Sequence, residues 1–92
     1  MGIKVAKFGG TSVADAKQFK KVKLIVQSDD QRRYIVPSAP GRRFPGDNKV
    51  TDLLYHCHES VQEPIVFDQT FNSVSQRYIS IVDGLGLDLD LK

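Results

Sequence analysis

The chain has 92 residues, which suits one small domain with a single core, because a chain this short buries only about 60 to 65% of its unfolded surface. Hydrophobic residues at 40% and charged residues at 26% exclude a disordered, collagen-like or membrane protein, and a single cysteine excludes an internal disulfide. The net charge of +2 combines +7 in residues 1–50, with eleven basic and four acidic residues, and −5 in residues 51–92, with two and seven.

The first predicted element is a short β-strand over Ile3 to Phe8, which stops at Gly9-Gly10. A helix is predicted from about Val13 to Gln27, with Thr11 or Ser12 as its N-cap. Its apolar residues recur at spacings of three to four along the chain, as Val13, Ala16, Phe19, Val22, Ile25 and Val26.

A second short strand is predicted over Arg33 to Pro37. Two strands that flank one helix form a βαβ unit, whose strands are expected to be parallel with a right-handed crossover. The lysines of the helix are best explained as a solvated basic face. The alternative is that they attract anionic ligands. Nucleic acid is not an expected partner, because few aromatic residues accompany these lysines and no binding motif is present.

The loop Ser38 to Lys49 is rich in Pro and Gly and ends in Asp47-Asn48, which are N-cap candidates for a second helix over about Lys49 to Gln62. The apolar positions of this helix form one stripe, made of Val50, Leu53, Leu54, Cys57 and Val61.

Glu63-Pro64 interrupts the helical pattern, and a third helix is predicted over about Val66 to Asp83, with Gly84 or Gly86 as its C-cap. Its apolar stripe consists of Phe67, Phe71, Val74, Tyr78, Ile81 and Val82. We find no internal repeat and no second domain, so residues 1–92 are interpreted as one unit.

The His56-Cys57-His58 triplet invites interpretation as a metal site. Three consecutive helical residues point in different directions, so they cannot converge on one ion, and a Cys–His nucleophilic pair fails for the same reason. We expect a buried Cys57 between two peripheral histidines, and no metal ligands.

The stretch KFGGTS, Lys7 to Ser12, is a candidate anion site. A strand that runs through Gly-Gly into a helix aims unpaired N–H groups at one point, and Lys7 adds a mobile positive charge. The alternative is a tight βα turn with an exposed lysine, and spacing alone leaves both open. The stretch matches neither the Walker A loop nor GxGxxG.

Three blocks of sequence carry a family resemblance: KFGGTSV (Lys7 to Val13), VPSAPG (Val36 to Gly41) and KVTDLL (Lys49 to Leu54). In this order and spacing they resemble the N-terminal part of the aspartokinases, within the amino acid kinase family. The closing RYISIVDGLGLDLDLK is similar to the segment that follows in clostridial aspartokinases, so the likeness covers essentially all 92 residues. The resemblance implies an α/β fold, part of a three-layer αβα sandwich with a mainly parallel sheet.

The resemblance also implies an activity, the transfer of the γ-phosphoryl group of ATP to the side-chain carboxylate of L-aspartate, in the biosynthesis of lysine, threonine and methionine. Magnesium would arrive with the ATP, and a homo-oligomer is expected for the complete enzyme. The N-terminus lacks the layout of a signal peptide and no apolar run approaches the length of a membrane span, so a cytoplasmic location is expected.

Carried over position by position, the resemblance makes Lys7, Phe8, Gly9 and Gly10 the ATP-phosphate segment, with Lys7 as the catalytic residue that neutralises charge on the transferring group. Ser38, Gly41 and Thr51 become substrate-binding residues. Thr51 has an alternative role in capping or packing the second helix, and Ser38 in stabilising its own turn.

Departures from the family pattern accompany the resemblance. The loop between Gly41 and Thr51 is longer than in many family members. The family's substrate-binding glutamate, its Arg-Gly-Gly-Ser-Asp-like segment, its nucleotide-base site and its ACT domains have no counterpart, so we interpret the chain as a truncated N-terminal piece that is inactive alone. Another amino acid kinase, or a non-catalytic chain that binds an anion or a partner, remains the alternative.

Overall fold

The computed structural model describes residues 2–89. Its elements in chain order are strand β1 (Lys4–Phe8), a 3₁₀ turn (Gly10–Val13), helix α1 (Ala16–Gln27), strand β2 (Arg32–Pro37), helix α2 (Val50–Glu59) and helix α3 (Pro64–Leu85). The predicted α/β class is confirmed, and so is the order strand, helix, strand, helix, helix. The last three residues of the LDLDLK tail lie outside the described residues.

The two strands form a parallel sheet, as the βαβ pattern predicts. Their register pairs Lys7 with Val36 and Phe8 with Pro37, after an irregularity between Lys4 and Val5. Because parallel strands end at the same edge of a sheet, the loops that follow Phe8 and Pro37 leave it side by side. This edge positions the candidate site.

The prediction of Thr11 or Ser12 as the cap of the first helix is wrong. Both lie in the 3₁₀ turn, where the Ser12 amide donates to the Gly9 carbonyl oxygen at 3.1 Å. The cap is Asp15, whose Oδ1 accepts from the Gln18 amide at 3.0 Å. Thr11 and Ser12 are part of the 3₁₀ turn, so neither is in the extended conformation of a helix cap. The α-helix starts after Asp15, which is extended and has an acceptor side chain.

The prediction of Asp47 or Asn48 as the cap of the second helix is also wrong. The cap position is Lys49, which makes no side-chain capping bond, and the Val50 amide donates instead to the Pro40 carbonyl oxygen at 3.0 Å. The Asp47 carboxylate is engaged by arginine side chains, so it does not reach the helix amides.

Helix α3 begins with Pro64 in its first turn, where a missing N–H costs nothing, and ends before Gly86. Gly86 has φ 67°, the left-handed conformation that a glycine C-cap supplies, so the second of the two predicted caps is confirmed.

The core is built from the end of β1, the 3₁₀ turn and helices α2 and α3. Cys57 is buried and His56 and His58 are exposed, as their helical positions predict. Helix α1 contributes no buried residue. The buried apolar side chains are Phe8, Val13, Ala14, Val50, Cys57, Val74 and Ile81. Within residues 2–89, no helix is long and apolar enough to cross a bilayer.

Candidate functional site

A cleft of about 430 Å³ opens where the two strands end. Its walls come from the turn after β1, the loop after β2 and the start of α2. The lining residues are Gly10, Thr11, Ser38, Ala39, Pro40, Gly41, Arg42, Lys49 and Thr51. The two loops that leave the sheet edge side by side therefore enclose one space.

Backbone hydrogen bonds tie the two loops together. The Ser38 amide donates to the Phe8 carbonyl at 2.9 Å, and the Gly41 amide donates to the Gly10 carbonyl at 2.7 Å. A Cβ at Gly41 would lie 2.5 Å from the Gly10 carbonyl carbon and 2.8 Å from the Thr11 nitrogen. These are backbone atoms that cannot move aside, so the approach requires glycine at position 41.

The first turn of α2 faces the same cleft. The Val50 amide is bonded to Pro40 and the Leu53 amide to the Lys49 carbonyl, but within residues 2–89 no backbone acceptor serves the amides of Thr51 and Asp52. The helix dipole places positive potential at this end. Arg42 and Lys49 add two cationic side chains to the lining, so the cleft is suited to a carboxylate or a phosphate.

The cleft brings together four of the seven predicted site residues, namely Gly10, Ser38, Gly41 and Thr51. It leaves out Lys7, Phe8 and Gly9. Phe8 is part of the core, whereas Lys7 is exposed on β1. Nothing in residues 2–89 lies within 4 Å of the place that a Cβ of Gly9 would take, so its backbone borders open space.

Arg77, which the sequence reasoning missed, lies behind the cleft with 4% of its surface exposed. Its Nη1 donates to the carbonyl oxygens of Gly41 at 2.6 Å and Ala14 at 3.3 Å. Its Nη2 donates to Asp47 Oδ2 at 2.9 Å and to the Asn48 carbonyl. One side chain of α3 therefore holds the turn after β1 and both ends of the loop before α2.

Asp47 is the second missed residue, with a side chain that is 6% exposed. The Arg43 guanidinium donates to it from Nε at 2.7 Å and from Nη2 at 2.9 Å. These hydrogen bonds hold the pKa of Asp47 far below its usual range, and they outweigh the opposing effect of burial. Burial lowers the pKa of Arg77 from its usual value.

The sequence does contain a signal for Arg77. The buried face of α3 is spaced by four, three and four residues, as Thr70, Val74, Arg77 and Ile81. An arginine on a buried helical stripe is rare without a paired acid, so its position indicates a buried ion pair.

A metal site does not form from these residues alone. Within residues 2–89, no group of three or more His, Cys, Asp or Glu side chains is placed to hold an ion.

Two known proteins are similar to this chain over most of its length. Aspartokinase 3 of Bacillus subtilis (strain 168) is 42% identical over 85 residues, which cover 92% of this chain and 19% of that protein. The crystal structure of the aspartate kinase of Clostridium acetobutylicum matches with a TM-score of 0.90 and 54% identity, covering 98% of this chain and 21% of that one. No protein-family model matches. The chain spans about a fifth of the length of these two relatives.

Proposed function

From the premise that this chain is a portion of an aspartate kinase, we propose that its cleft is part of an active site that transfers the γ-phosphoryl group of ATP to the side-chain carboxylate of L-aspartate. The observation that carries the proposal is the convergence of Gly10, Ser38, Gly41 and Thr51 on one cleft. The complete enzyme would act in the cytoplasm, in the biosynthesis of lysine, threonine and methionine, and would be a homo-oligomer.

The aspartate side of the cleft is assigned to Ser38, Gly41 and Thr51. The two hydroxyl groups are donors for the substrate's carboxylate, and the amides at the start of α2 add further donors beside Thr51. The bonded Gly10–Gly41 contact fixes the distance between the loops that carry these donors. A carboxylate held this way presents an oxygen toward the neighbouring phosphate segment.

The phosphate side is assigned to residues 7–10. The open backbone at Gly9 supports it, because a phosphate can approach a glycine amide closely. Lys7 lies one residue before the end of β1, and its long side chain is exposed and free to swing toward a bound anion.

The chemistry needs no covalent intermediate. A carboxylate oxygen of aspartate attacks the γ-phosphorus of ATP directly if both reactants are held in line, and the bond from that phosphorus to the β,γ-bridging oxygen breaks as ADP leaves. Positive groups offset the charge on the transferring phosphoryl oxygens. Lys7 supplies one such charge. Magnesium bound to the ATP phosphates would supply further neutralisation, and this segment binds and orients the reactants and contributes the charge of Lys7.

The test uses a hybrid enzyme, in which this chain replaces the matching segment of the Clostridium acetobutylicum aspartate kinase. We expect ADP release that depends on aspartate and Mg-ATP. A folded hybrid without turnover contradicts the proposal and favours a non-catalytic anion-binding chain, and turnover with glutamate, acetylglutamate or carbamate in place of aspartate favours another amino acid kinase.

A matched pair of variants in the hybrid enzyme tests the substrate assignment. Thr51→Val removes the hydroxyl group at constant volume, so the KM for aspartate should rise about tenfold, the loss of roughly one hydrogen bond to a charged group. Thr51→Ser keeps the hydroxyl group and should stay within a few-fold of the parent. Equal effects of both variants would assign Thr51 to helix packing.

A further inference from the structure

We infer that Arg77 is a positioning residue for the aspartate side of the cleft, and that it acts by clamping Gly41 and the start of α2 in place. The role of Arg77 in positioning aspartate rests on the proposed function. The clamp itself depends only on the contacts of the guanidinium.

The clamp joins segments that are far apart in sequence. Arg77 bonds Ala14 after the 3₁₀ turn, Gly41 at one end of the loop before α2, and Asp47 and Asn48 at its other end. These partners lie 63, 36, 30 and 29 residues away along the chain. No other described side chain bonds to three such segments.

Gly41 is held from both sides. Its amide donates to the Gly10 carbonyl at 2.7 Å, and its carbonyl accepts from Arg77 at 2.6 Å. The intervening loop residues 42–46 are exposed, so they cannot fix the path of the chain by packing. The distance between the Ser38 and Thr51 hydroxyl groups therefore depends on how the loop is anchored, by the Val50–Pro40 hydrogen bond and by the bonds of Arg77 to Gly41 and Asn48.

Asp47 makes the buried guanidinium possible. A buried arginine without a paired charge would be costly, and Asp47 Oδ2 supplies the negative charge at 2.9 Å. Arg43 bonds the same carboxylate from the solvent side, with 40% of its side chain exposed. Arg43 makes no bond to Ala14 or Gly41 among the described contacts, so it is a natural control.

Three variants of the hybrid enzyme test the inference. Arg77→Met keeps the apolar stem and removes every bond of the clamp; we expect the KM for aspartate to rise at least fivefold while the KM for ATP stays within twofold. Arg77→Lys keeps the charge with fewer donors and should restore part of the loss. Arg43→Met removes the other partner of Asp47 and should leave both KM values within twofold of the parent.

Amide hydrogen exchange of the same hybrids adds a readout that does not depend on activity. Exchange at Gly41 and Val50 should accelerate at least tenfold in Arg77→Met, because their amides close the anchored loop, and should stay unchanged in Arg43→Met. Exchange along β1 and β2 is the internal reference.

The outcomes separate the two claims. A folded Arg77→Met hybrid with an unchanged KM for aspartate, or with equal changes in both KM values, overturns the inference. If neither Arg77 variant folds, the residue serves folding and the inference is overturned as well. If the unsubstituted hybrid lacks turnover, the proposed function fails, and unaltered exchange at Gly41 and Val50 then overturns the clamp independently.

Discussion

Lys7 and Phe8 are neighbours at the end of β1 with opposite surroundings, since side chains alternate across a strand. Phe8 is buried in the core and Lys7 is exposed. Phe8 thus fixes the strand end while Lys7 stays free for a ligand. Any role of Phe8 in the proposed phosphate segment would have to come from its backbone, because its side chain is buried in the core.

The Lys7→Ala variant of the hybrid enzyme should lower kcat by about a hundredfold or more, because a charge that stabilises only the transition state is lost. The fold should be unchanged, since the side chain is exposed. Steady-state kinetics and circular dichroism measure the two effects. Lys20→Ala, which removes an exposed lysine of α1, is the control, and a near-normal kcat for Lys7→Ala would make Lys7 an ordinary exposed lysine of a tight turn.

The residues in and around the cleft differ in whether they could be predicted from the sequence. Gly10 was predicted from the Gly-Gly turn after β1, whereas Ser38, Gly41 and Thr51 were expected only from the family resemblance. Arg77 was not predicted, because its acceptors are at least 29 residues away and only the packing of α3 brings it to them. Asp47 was misassigned as a helix cap because its carboxylate accepts hydrogen bonds from Arg43 and Arg77 instead of from the helix amides.

At the scale of elements, α1 and α3 meet at a close contact that two small residues allow. A Cβ at Gly84 would lie 2.5 Å from the Cβ of Ala16. This glycine was proposed from sequence as a helix end, but it lies inside α3, where a glycine is otherwise unfavourable. Its position is explained by the crossing of the two helices, which periodicity in one helix cannot predict.

The Gly84→Ala variant should therefore destabilise the hybrid enzyme by about 1 to 3 kcal/mol, although alanine favours helices, because the added methyl group forces α1 and α3 apart. A lower thermal midpoint measures the effect. The double variant Ala16→Gly/Gly84→Ala removes the opposing methyl group and should recover most of the loss. A stabilised single variant would mean that the helices do not meet at this point.

At the scale of the whole molecule, the described residues 2–89 do not pack into a compact sphere. The radius of gyration is 15.4 Å, against about 12 Å expected for a compact domain of this length. Within the described part of the chain the sheet has two strands, and apolar residues remain exposed on it, on the three helices and in the loops. The exposed large apolar residues of the sheet are Val5, Tyr34, Ile35 and Val36.

The isolated chain should not phosphorylate aspartate. In-line transfer requires both reactants to be held, and the chain spans about a fifth of the relatives that it matches. A coupled assay of ADP release with aspartate and Mg-ATP should read background, with the hybrid enzyme as the positive control. Turnover well above background would mean that these residues bind both substrates alone.

The isolated chain should also self-associate or remain partly unfolded. Helix α1 buries no residue, and Leu54, Val61 and Phe71 of the predicted stripes are 47%, 58% and 51% exposed. Leaving a few hundred Å² of apolar surface uncovered forgoes on the order of 5 to 10 kcal/mol, at roughly 25 cal/mol per Å², which is comparable to the whole stability of a small domain. The free edges of a two-stranded sheet add sites for pairing with another copy.

Sedimentation velocity and amide hydrogen exchange of the 92-residue chain measure both alternatives. We expect species larger than a monomer, because the isolated chain can bury its exposed apolar surface against another copy of itself. If it does not associate, we expect rapid exchange at the amides of β1 and β2. In the hybrid enzyme the same strand amides should exchange slowly, since further strands of the sandwich would cover the sheet. A sharply monomeric chain with slowly exchanging core amides would mean that these residues form a complete domain despite their exposed apolar surface.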